Sequence, residues 1–174
     1  MQHQFIETNL EEIAIKSIAR AQENIDFVEH LQQLNIDELD DTVYELDSLI
    51  SPQIDCTLCG NCCKTLMINV EAPEADIAAR HLGISRVVFD EAYIEKSMGG
   101  KMLVNKIPCH FLQDNKCTIY LSRFAGCKEF PALHLPRIKN RLFTIFMHYG
   151  RCPIIYNVME ELKKQVRFEW KEDV

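Results

Sequence analysis

The sequence predicts an α+β protein, in which a small cysteine-rich core with short antiparallel strands is flanked by an N-terminal acidic helical hairpin and a C-terminal helix. Three observations support this fold class. Apolar residues recur at helical spacing before residue 52 and after residue 153. Short β-rich runs separated by turn residues lie between those two segments. Four of the eight cysteines fall within residues 55–64, which marks the segment around which the core is organised.

Two predicted helices form the N-terminal hairpin. Within residues 8–31 apolar side chains step by three and four, and Thr8 with Glu11 has the pattern of a capping box. A second helix over residues 36–50 follows Asn35 and stops at a Ser-Pro pair. Each helix is therefore expected to bury one stripe. The stripes are Leu10, Ile13, Ala14, Ile18, Ala21, Ile25 and Val28 in the first helix, and Ile36, Leu39, Val43, Leu46 and Ile50 in the second.

The cysteine cluster is the most specific feature of the chain. Cys56, Cys59 and Cys62 recur every third residue around Gly60, so three sulfurs can converge on one point without long-range folding. Cys62 and Cys63 are adjacent, and neighbouring side chains of an extended segment point to opposite faces. We therefore expect these two thiols to serve different sites, or one to bind metal while the other packs behind it.

Turn chemistry defines the elements that follow the cluster. Residues 66–70 are predicted to form a short strand. Pro73 then opens a helix that Gly83 closes. Ser85 is expected to cap a further helix, RVVFDEAYIEK, which a Gly-Gly pair terminates.

Three strand-like runs follow, at residues 102–106, 109–112 and 117–120. The turn between the last two places Cys109 and Cys117 on the arms of a hairpin, where their thiols can approach. Residues 122–131 are predicted to be a loop or a single helical turn that carries Cys127.

The C-terminal part contains a β-rich run, RLFTIFMHY, at residues 141–149, followed by Cys152 and Pro153. The chain then closes with a helix whose apolar stripe has a spacing of four. Met159 and Trp170 are interpreted as core residues. The stripe comprises Val158, Leu162, Val166 and Trp170.

Charge is unevenly distributed. The chain has a net charge of −7, although residues 1–55 carry 13 acidic and 2 basic side chains. Residues 106–151 carry eight Lys or Arg side chains against Asp114 and Glu129. Such cations stabilise deprotonated sulfurs, and Lys106, Lys116, Lys128 and Arg151 are the candidates. The rival interpretation, a nucleic-acid surface, is disfavoured because the whole chain is acidic and has few interleaved aromatic residues.

A reducing cytosol is the expected compartment. The first twenty residues lack a basic segment followed by an apolar run, and no apolar stretch is long enough to span a bilayer. We therefore expect a cytoplasmic protein without membrane contact. In that compartment clustered cysteines indicate metal binding more often than disulfides.

The spacing leaves the metal open. Eight thiols can supply two closed four-thiolate zinc sites, which are structural. Alternatively, the CxxCxxC run with Cys152-Pro153 fits a ferredoxin-like iron-sulfur cluster, which would leave thiols for one further site. The spacing departs from the ferredoxin run, because the fourth ligand is remote and Cys63 is an extra thiol. Sulfur ligands exclude magnesium and calcium but are compatible with zinc, iron or copper(I).

Other chemistry has no comparable signature. His110 is next to Cys109, but a lone histidine there is more often a packing residue than a ligand. The sequence lacks a serine nucleophile elbow, a phosphate-binding glycine loop and an HExxH motif. Whether the protein is an enzyme is therefore left open.

Several segments together resemble a known family. CTLCGNCC, PCHFL, the CTIY run, Arg123 and CKEFP are similar to the YkgJ-type bacterial cysteine-cluster family, over roughly residues 55–153. Phe124 stands where that family usually has proline, and Lys128 where it often has arginine. The resemblance implies a zinc- or iron-chelating domain, and a version of the domain occurs in flagellin lysine N-methylase. The ligands it implies are Cys56, Cys59, Cys62, Cys63, Cys109, Cys117, Cys127 and Cys152.

Two functional hypotheses follow. The first is a metal-chelating protein, with metal ions as partners and a structural or binding role. The second is an iron-sulfur enzyme with redox or methyl-transfer activity, as the methylase resemblance implies. Residues 1–51 are predicted to form a hairpin packed on the core, able to contact a protein partner, and residues 52–174 the cysteine-cluster domain with the C-terminal helix.

Overall fold

The computed structural model describes residues 6–171, which form two compact units. We call the unit made of Met1–Ile54 and Pro131–Val174 the helical unit, and Asp55–Phe130 the cysteine unit. Most described residues are helical and the strands are few, short and antiparallel, so the predicted α+β class is confirmed. Within the described residues, no helix combines the length and the apolar character that crossing a bilayer requires.

The first predicted helix is two helices, α1 (Leu10–Ala19) and α2 (Ala21–Gln33), separated at Arg20. The break lets α2 bury Phe27 and Leu31, whereas Ile18 of the predicted single stripe is 78% exposed. The expected Thr8 cap is wrong by one position. Asn9 is the N-cap residue, and its side-chain oxygen accepts hydrogen bonds from the backbone N–H groups of the first turn.

The second predicted helix is confirmed as α3 (Ile36–Ile50). Asn35 caps it by accepting hydrogen bonds from the N–H groups of Asp37 at 2.9 Å and Glu38 at 3.3 Å. A 3-10 turn, Ser51–Gln53, follows the helix. The predicted stripe is buried at Leu39, Val43, Leu46 and Ile50.

The predicted β-rich run at residues 141–149 is wrong, because Leu142–Met147 form a helix, α9. Leu142 and Ile145 are buried three residues apart while Phe143 between them is 78% exposed, which is the helical period rather than strand alternation. A 3-10 turn, Ile138–Arg141, leads into α9. β-propensity depends on a pairing partner, and packing overrides it in this run.

The C-terminal helix α10 (Pro153–Gln165) packs on α3 within the helical unit. Met159 is fully buried, as expected. Val166 is already the C-terminal cap residue, so the helix ends before Trp170, whose Nε1 donates a 2.8 Å hydrogen bond to Asp26. The expected domain of residues 52–174 groups this helix with the cysteines, whereas the helix packs on α3 of the N-terminal segment.

The cysteine unit alternates short helices with short strands. A three-stranded antiparallel sheet has the order β1-β3-β2, and β4 pairs with β5 as a separate hairpin. The helices are α4 (Cys56–Cys59), α5 (Asn61–Thr65), α6 (Ala72–Leu82), α7 (Arg86–Tyr93) and α8 (Ala125–Glu129), and the strands are β1 (Asn69–Val70), β2 (Ile94–Lys96), β3 (Met102–Val104), β4 (Leu112–Gln113) and β5 (Lys116–Cys117).

Turn chemistry predicted the boundaries of α6 and the start of α7. Pro73 lies in the first turn of α6, and Gly83 ends that helix with a φ of 69°. Ser85 caps α7 as expected, but the IEK segment assigned to the same helix is strand β2, paired with β3. The other four strands are shorter than the runs that predicted them.

The buried core of the cysteine unit is built from aromatic and aliphatic side chains. Phe89, Phe111 and Phe124 are buried, with the Phe111 and Phe124 rings 6.1 Å apart edge to face. Three of the cysteines, Cys109, Cys117 and Cys127, pack against this core. The core thus fixes the three remote thiols of the unit.

Candidate metal centre

The N-terminal cysteines lie on two consecutive helical turns. Asp55 caps α4 by accepting a 2.8 Å hydrogen bond from the N–H of Thr57. Gly60 separates α4 from α5 with a φ of 58°, a conformation that favours glycine. A Cβ at Gly60 would lie 3.1 Å from the Cβ of Asn115. The close packing at this turn therefore also requires a residue without a side chain. The sequence thus forces a sharp reversal between Cys59 and Cys62.

The expectation that Cys62 and Cys63 point to opposite faces of an extended segment is wrong. Both residues lie in α5, where successive side chains are about 100° apart. Their thiols hydrogen-bond to one another. The two neighbouring sulfurs therefore face a common region.

Cys109 and Cys117 are brought to the cluster by the β4–β5 hairpin. The N–H of Cys109 donates a 2.8 Å hydrogen bond to the carbonyl of Cys63. Cys117 pairs with Leu112 across the hairpin. The first strand begins at Leu112, so Cys109 precedes it and does not lie on an arm of the hairpin. A two-residue turn with positive φ at Asp114 and Asn115 closes the hairpin, as the right-handed strand twist favours.

Cys127 is carried by the single helical turn α8, as predicted. Its N–H donates a 3.0 Å hydrogen bond to the carbonyl of Phe124. The carboxylate of Glu74 accepts a hydrogen bond from the N–H of Ala125 and ties α8 to α6. Phe124, the departure from the family pattern, is buried in the core and anchors this turn.

The seven thiols of the cysteine unit influence one another electrostatically. Hydrogen bonding from the Cys63 thiol lowers the pKa of Cys62 to about 7. Burial, followed by the charges of Cys109, Cys62 and Cys117, raises the pKa of Cys127 to about 12. Burial and neighbouring thiolates likewise raise the pKa of Cys109. Once one thiol has ionised, the others therefore resist ionisation in the absence of a compensating positive charge.

Arg123 supplies one such charge. Its guanidinium lies 3.8 Å above the ring of Tyr120. Burial raises the pKa values of Cys56, Cys117 and Cys127, and the charge of Arg123 partly opposes that rise. Charge alone had indicated Lys106, Lys116, Lys128 and Arg151 as the cations near the thiols. The aromatic residue three positions before Arg123 was the available signal, since it fixes the guanidinium by stacking.

His110 is held by neighbours other than the thiols. Its Nε2 lies 2.6 Å from the side-chain oxygen of Asn105, and its ring meets that of Tyr93 edge to face at 5.1 Å. Desolvation, with a smaller contribution from Lys106, lowers its pKa. These contacts match the packing role that the sequence favoured for this residue.

Cys152 lies in the helical unit, at the N-cap position of α10, and is buried. None of the eight cysteines, all of which lie in the described residues, forms a disulfide. The other seven cysteines share the cysteine unit.

The donor set fits a soft metal ion. A divalent cation among the seven thiols would offset the repulsion that raises their pKa values, and thiolate sulfur is the ligand that zinc and iron share. Across residues 6–171, no three Cys, His, Asp or Glu side chains already form a metal-binding arrangement.

Comparison with known proteins identifies the family. Residues 55–165, more than half of the chain, match the model of the CxxCxxCC family, whose description is "Putative zinc- or iron-chelating domain". Neither the curated proteins nor the solved structures contain a significant match. The matched segment begins at the residue that caps α4 and includes all eight cysteines. The chain belongs to the CxxCxxCC family.

Proposed function

We propose that this protein binds zinc or iron through the thiolates of its cysteines and acts as a metal-binding module. The observation that carries this proposal is the gathering of seven electrostatically coupled thiols in one compact unit. The eight candidate ligands are those of the sequence analysis, and Cys152 is included because the family match extends over it.

Three structural features support binding at these positions. The Gly60 reversal presents Cys59 and Cys62 on consecutive turns. The hydrogen bond between Cys109 and Cys63 links the second cysteine group to the first. The charge of Arg123 partly offsets the rise in the Cys127 pKa that burial and neighbouring thiolates cause.

Metal identity decides between the two functional hypotheses. Zinc held by four thiolates has no redox chemistry and no open coordination position, so it would indicate a structural or binding module. An iron-sulfur cluster would supply electron transfer and would favour the redox or methyl-transfer alternative. The number of metal sites is part of the proposal. The cysteines would form either two four-thiolate sites, or one iron-sulfur cluster and one further site.

The cellular setting is also inferred. Clustered thiols without disulfides suit a reducing compartment, and we therefore infer a cytoplasmic location. Two statements about partners stay predictions. The first is that residues 1–51 contact a protein partner, and the second is that nucleic acid is not a partner.

Elemental analysis of anaerobically purified protein tests the proposal. We expect at least one equivalent of zinc or iron, with slow reaction of the thiols towards alkylating reagents until the metal is removed. Cys127→Ser should lose metal, whereas Ala125→Ser, which changes the same helical turn without removing sulfur, should retain it. Less than half an equivalent of metal, together with eight freely reactive thiols in the native state, would falsify the proposal.

The same preparation separates zinc from iron-sulfur binding. Colourless protein containing zinc supports the binding module. Brown protein with acid-labile sulfide supports the iron-sulfur alternative, and a change in the cluster spectrum on adding S-adenosylmethionine would then favour methyl transfer.

A further inference from the structure

Helices α1 and α2 expose three isoleucine side chains. Ile15 is 55% exposed, Ile18 78% and Ile25 54%, although the sequence predicts that Ile18 and Ile25 are buried. The two helices bury Ile13 and Phe27 in the helical unit instead. We call the three exposed side chains the isoleucine face. Apolar side chains grouped on one side of a surface helix mark a site of interaction with another molecule.

The isoleucine face follows the spacing of a helix. Its members are separated by three and then seven residues, and Gln22, which lies between them at the same spacing, is also exposed. The N–H of Arg20 donates a 3.0 Å hydrogen bond to the carbonyl of Lys16, and the N–H of Asn24 donates a 2.9 Å hydrogen bond to the carbonyl of Arg20. Both bonds span four residues, so helical spacing is retained across the break between the two helices. The face is therefore one narrow apolar stripe.

The exposed charges beyond the two ends of the isoleucine face are negative. Glu11 precedes the face by one helical turn and Glu29 follows it by one turn, and both are exposed. The only basic side chains of residues 1–55, Lys16 and Arg20, already form ion pairs with carboxylates of the helical unit. A molecule that covers the face therefore meets acidic side chains at both ends.

We propose that the isoleucine face binds a basic amphipathic helix of a partner protein. A narrow apolar stripe on one helix complements an apolar stripe on another, and lysine or arginine side chains beside the partner's stripe pair with Glu11 and Glu29. A second copy of the chain fits poorly, because either orientation of two such faces places carboxylate opposite carboxylate. The inference specifies the protein contact expected of residues 1–51 and does not rest on metal binding.

Fluorescence anisotropy with a labelled synthetic peptide tests the inference on the full-length protein. The peptide has about 20 residues, enough to form a helix, with leucines at helical spacing and lysines beside them. Wild-type protein should bind it, and more weakly as salt screens the attraction between lysine and glutamate. A peptide of the same composition, reordered so that its leucines share no face, should bind about tenfold more weakly or worse. No binding of the first peptide, or equal binding of the two, overturns the inference.

Variants of the protein locate the binding site. Ile15→Ser combined with Ile18→Ser should weaken peptide binding by about tenfold or more, because both side chains belong to the isoleucine face. Val87→Ser is the matched control, since it replaces a β-branched side chain of α7 that is 66% exposed, and it should bind the peptide like the wild type. Equal affinity of the wild type and the double variant overturns the inference.

Sedimentation equilibrium without peptide tests whether a second copy covers the face. We expect the wild type and the double variant to have the same association state. A wild-type dimer that the double variant dissociates overturns the inference in favour of a second copy. Metal content enters none of these measurements, so this inference and the proposed metal binding can fail independently.

Discussion

The backbone N–H of Cys109 donates a 2.8 Å hydrogen bond to the carbonyl oxygen of Cys63. This bond joins the N-terminal cysteine cluster to the segment that carries the remote cysteines of the same unit. It links the two groups through the backbone, in addition to any bond that the sulfurs make to a metal ion. The arrangement explains how thiols from distant parts of the sequence share one region.

Metal removal should weaken the hydrogen bond between Cys109 and Cys63. Structural zinc contributes on the order of 10 kcal/mol to the folding of small zinc domains. We expect chelation to accelerate amide hydrogen exchange at Cys109, because its hydrogen bond depends on the cluster remaining closed. The amide of Ile84, bonded to the Ala79 carbonyl at 3.1 Å beyond α6, serves as the control. Unchanged exchange at Cys109 after complete metal removal would show that the metal has no structural role there.

Gly60→Ala should destabilise the cysteine unit more than Gly83→Ala. Both glycines have positive φ, which costs about 1 kcal/mol for alanine. Only at Gly60 would the added Cβ also crowd Asn115, whereas nothing lies within 4 Å at Gly83. Urea unfolding of the two variants measures the difference, expected to be about 1–3 kcal/mol from overpacking. Equal loss of stability would show that the hairpin turn yields without strain.

His110→Gln should leave the metal content unchanged, whereas Cys109→Ser should reduce it. The His110 Nε2 is already within 2.6 Å of the Asn105 side-chain oxygen, and glutamine keeps a polar group for that contact. Elemental analysis of the two purified variants measures their metal content. Loss of metal from the folded histidine variant would make His110 a ligand.

Lys163→Met should destabilise the helical unit strongly, whereas Lys164→Met should have little effect. The Lys163 side chain is 7% exposed, and its ammonium lies 2.8 Å from Glu23 and 2.9 Å from Glu160. Both carboxylates also pair with Arg20, and removing Lys163 takes the more buried of these two cations from the network, which costs up to about 3–5 kcal/mol. Lys164 is 70% exposed in its pair with Glu161, and such pairs contribute about 0–1 kcal/mol.

Thermal and urea unfolding compare these two adjacent variants. Because the substitutions are identical and one residue apart in α10, helix propensity is nearly matched. Similar stability of both variants would contradict the assignment of Lys163 as the central cation of this network.

Local turn chemistry made part of the fold predictable. Asn35, Ser85 and Gly83 define helix ends in the sequence and in the structure, because each supplies a backbone hydrogen bond or a conformation of its own. Residues 141–149 were unpredictable by the same means. Their β-branched and aromatic side chains favour a strand in isolation, and only packing within the helical unit selects a helix.

The candidate site was predictable in composition and not in geometry. The cysteine spacing identified the thiols, but the helical conformation of Cys62 and Cys63 depends on the reversal at Gly60 and its contact with Asn115. The placement of Arg123 likewise depends on stacking with Tyr120. The contact between Gly60 and Asn115 joins distant segments, and periodicity within one segment does not encode it. The stacking of Arg123 on Tyr120 is local, and the spacing of these two residues was the signal available in the sequence.

X-ray absorption spectroscopy of the metal in natively purified protein tests the central claim most directly. If thiolates hold the ion, the first coordination shell should consist mainly of sulfur, at about 2.3 Å for zinc. Cys59→Ser should reduce the sulfur contribution or the metal content. A first shell of nitrogen and oxygen atoms alone, at about 2.0–2.2 Å, would contradict the assignment of the cysteine cluster as the metal centre.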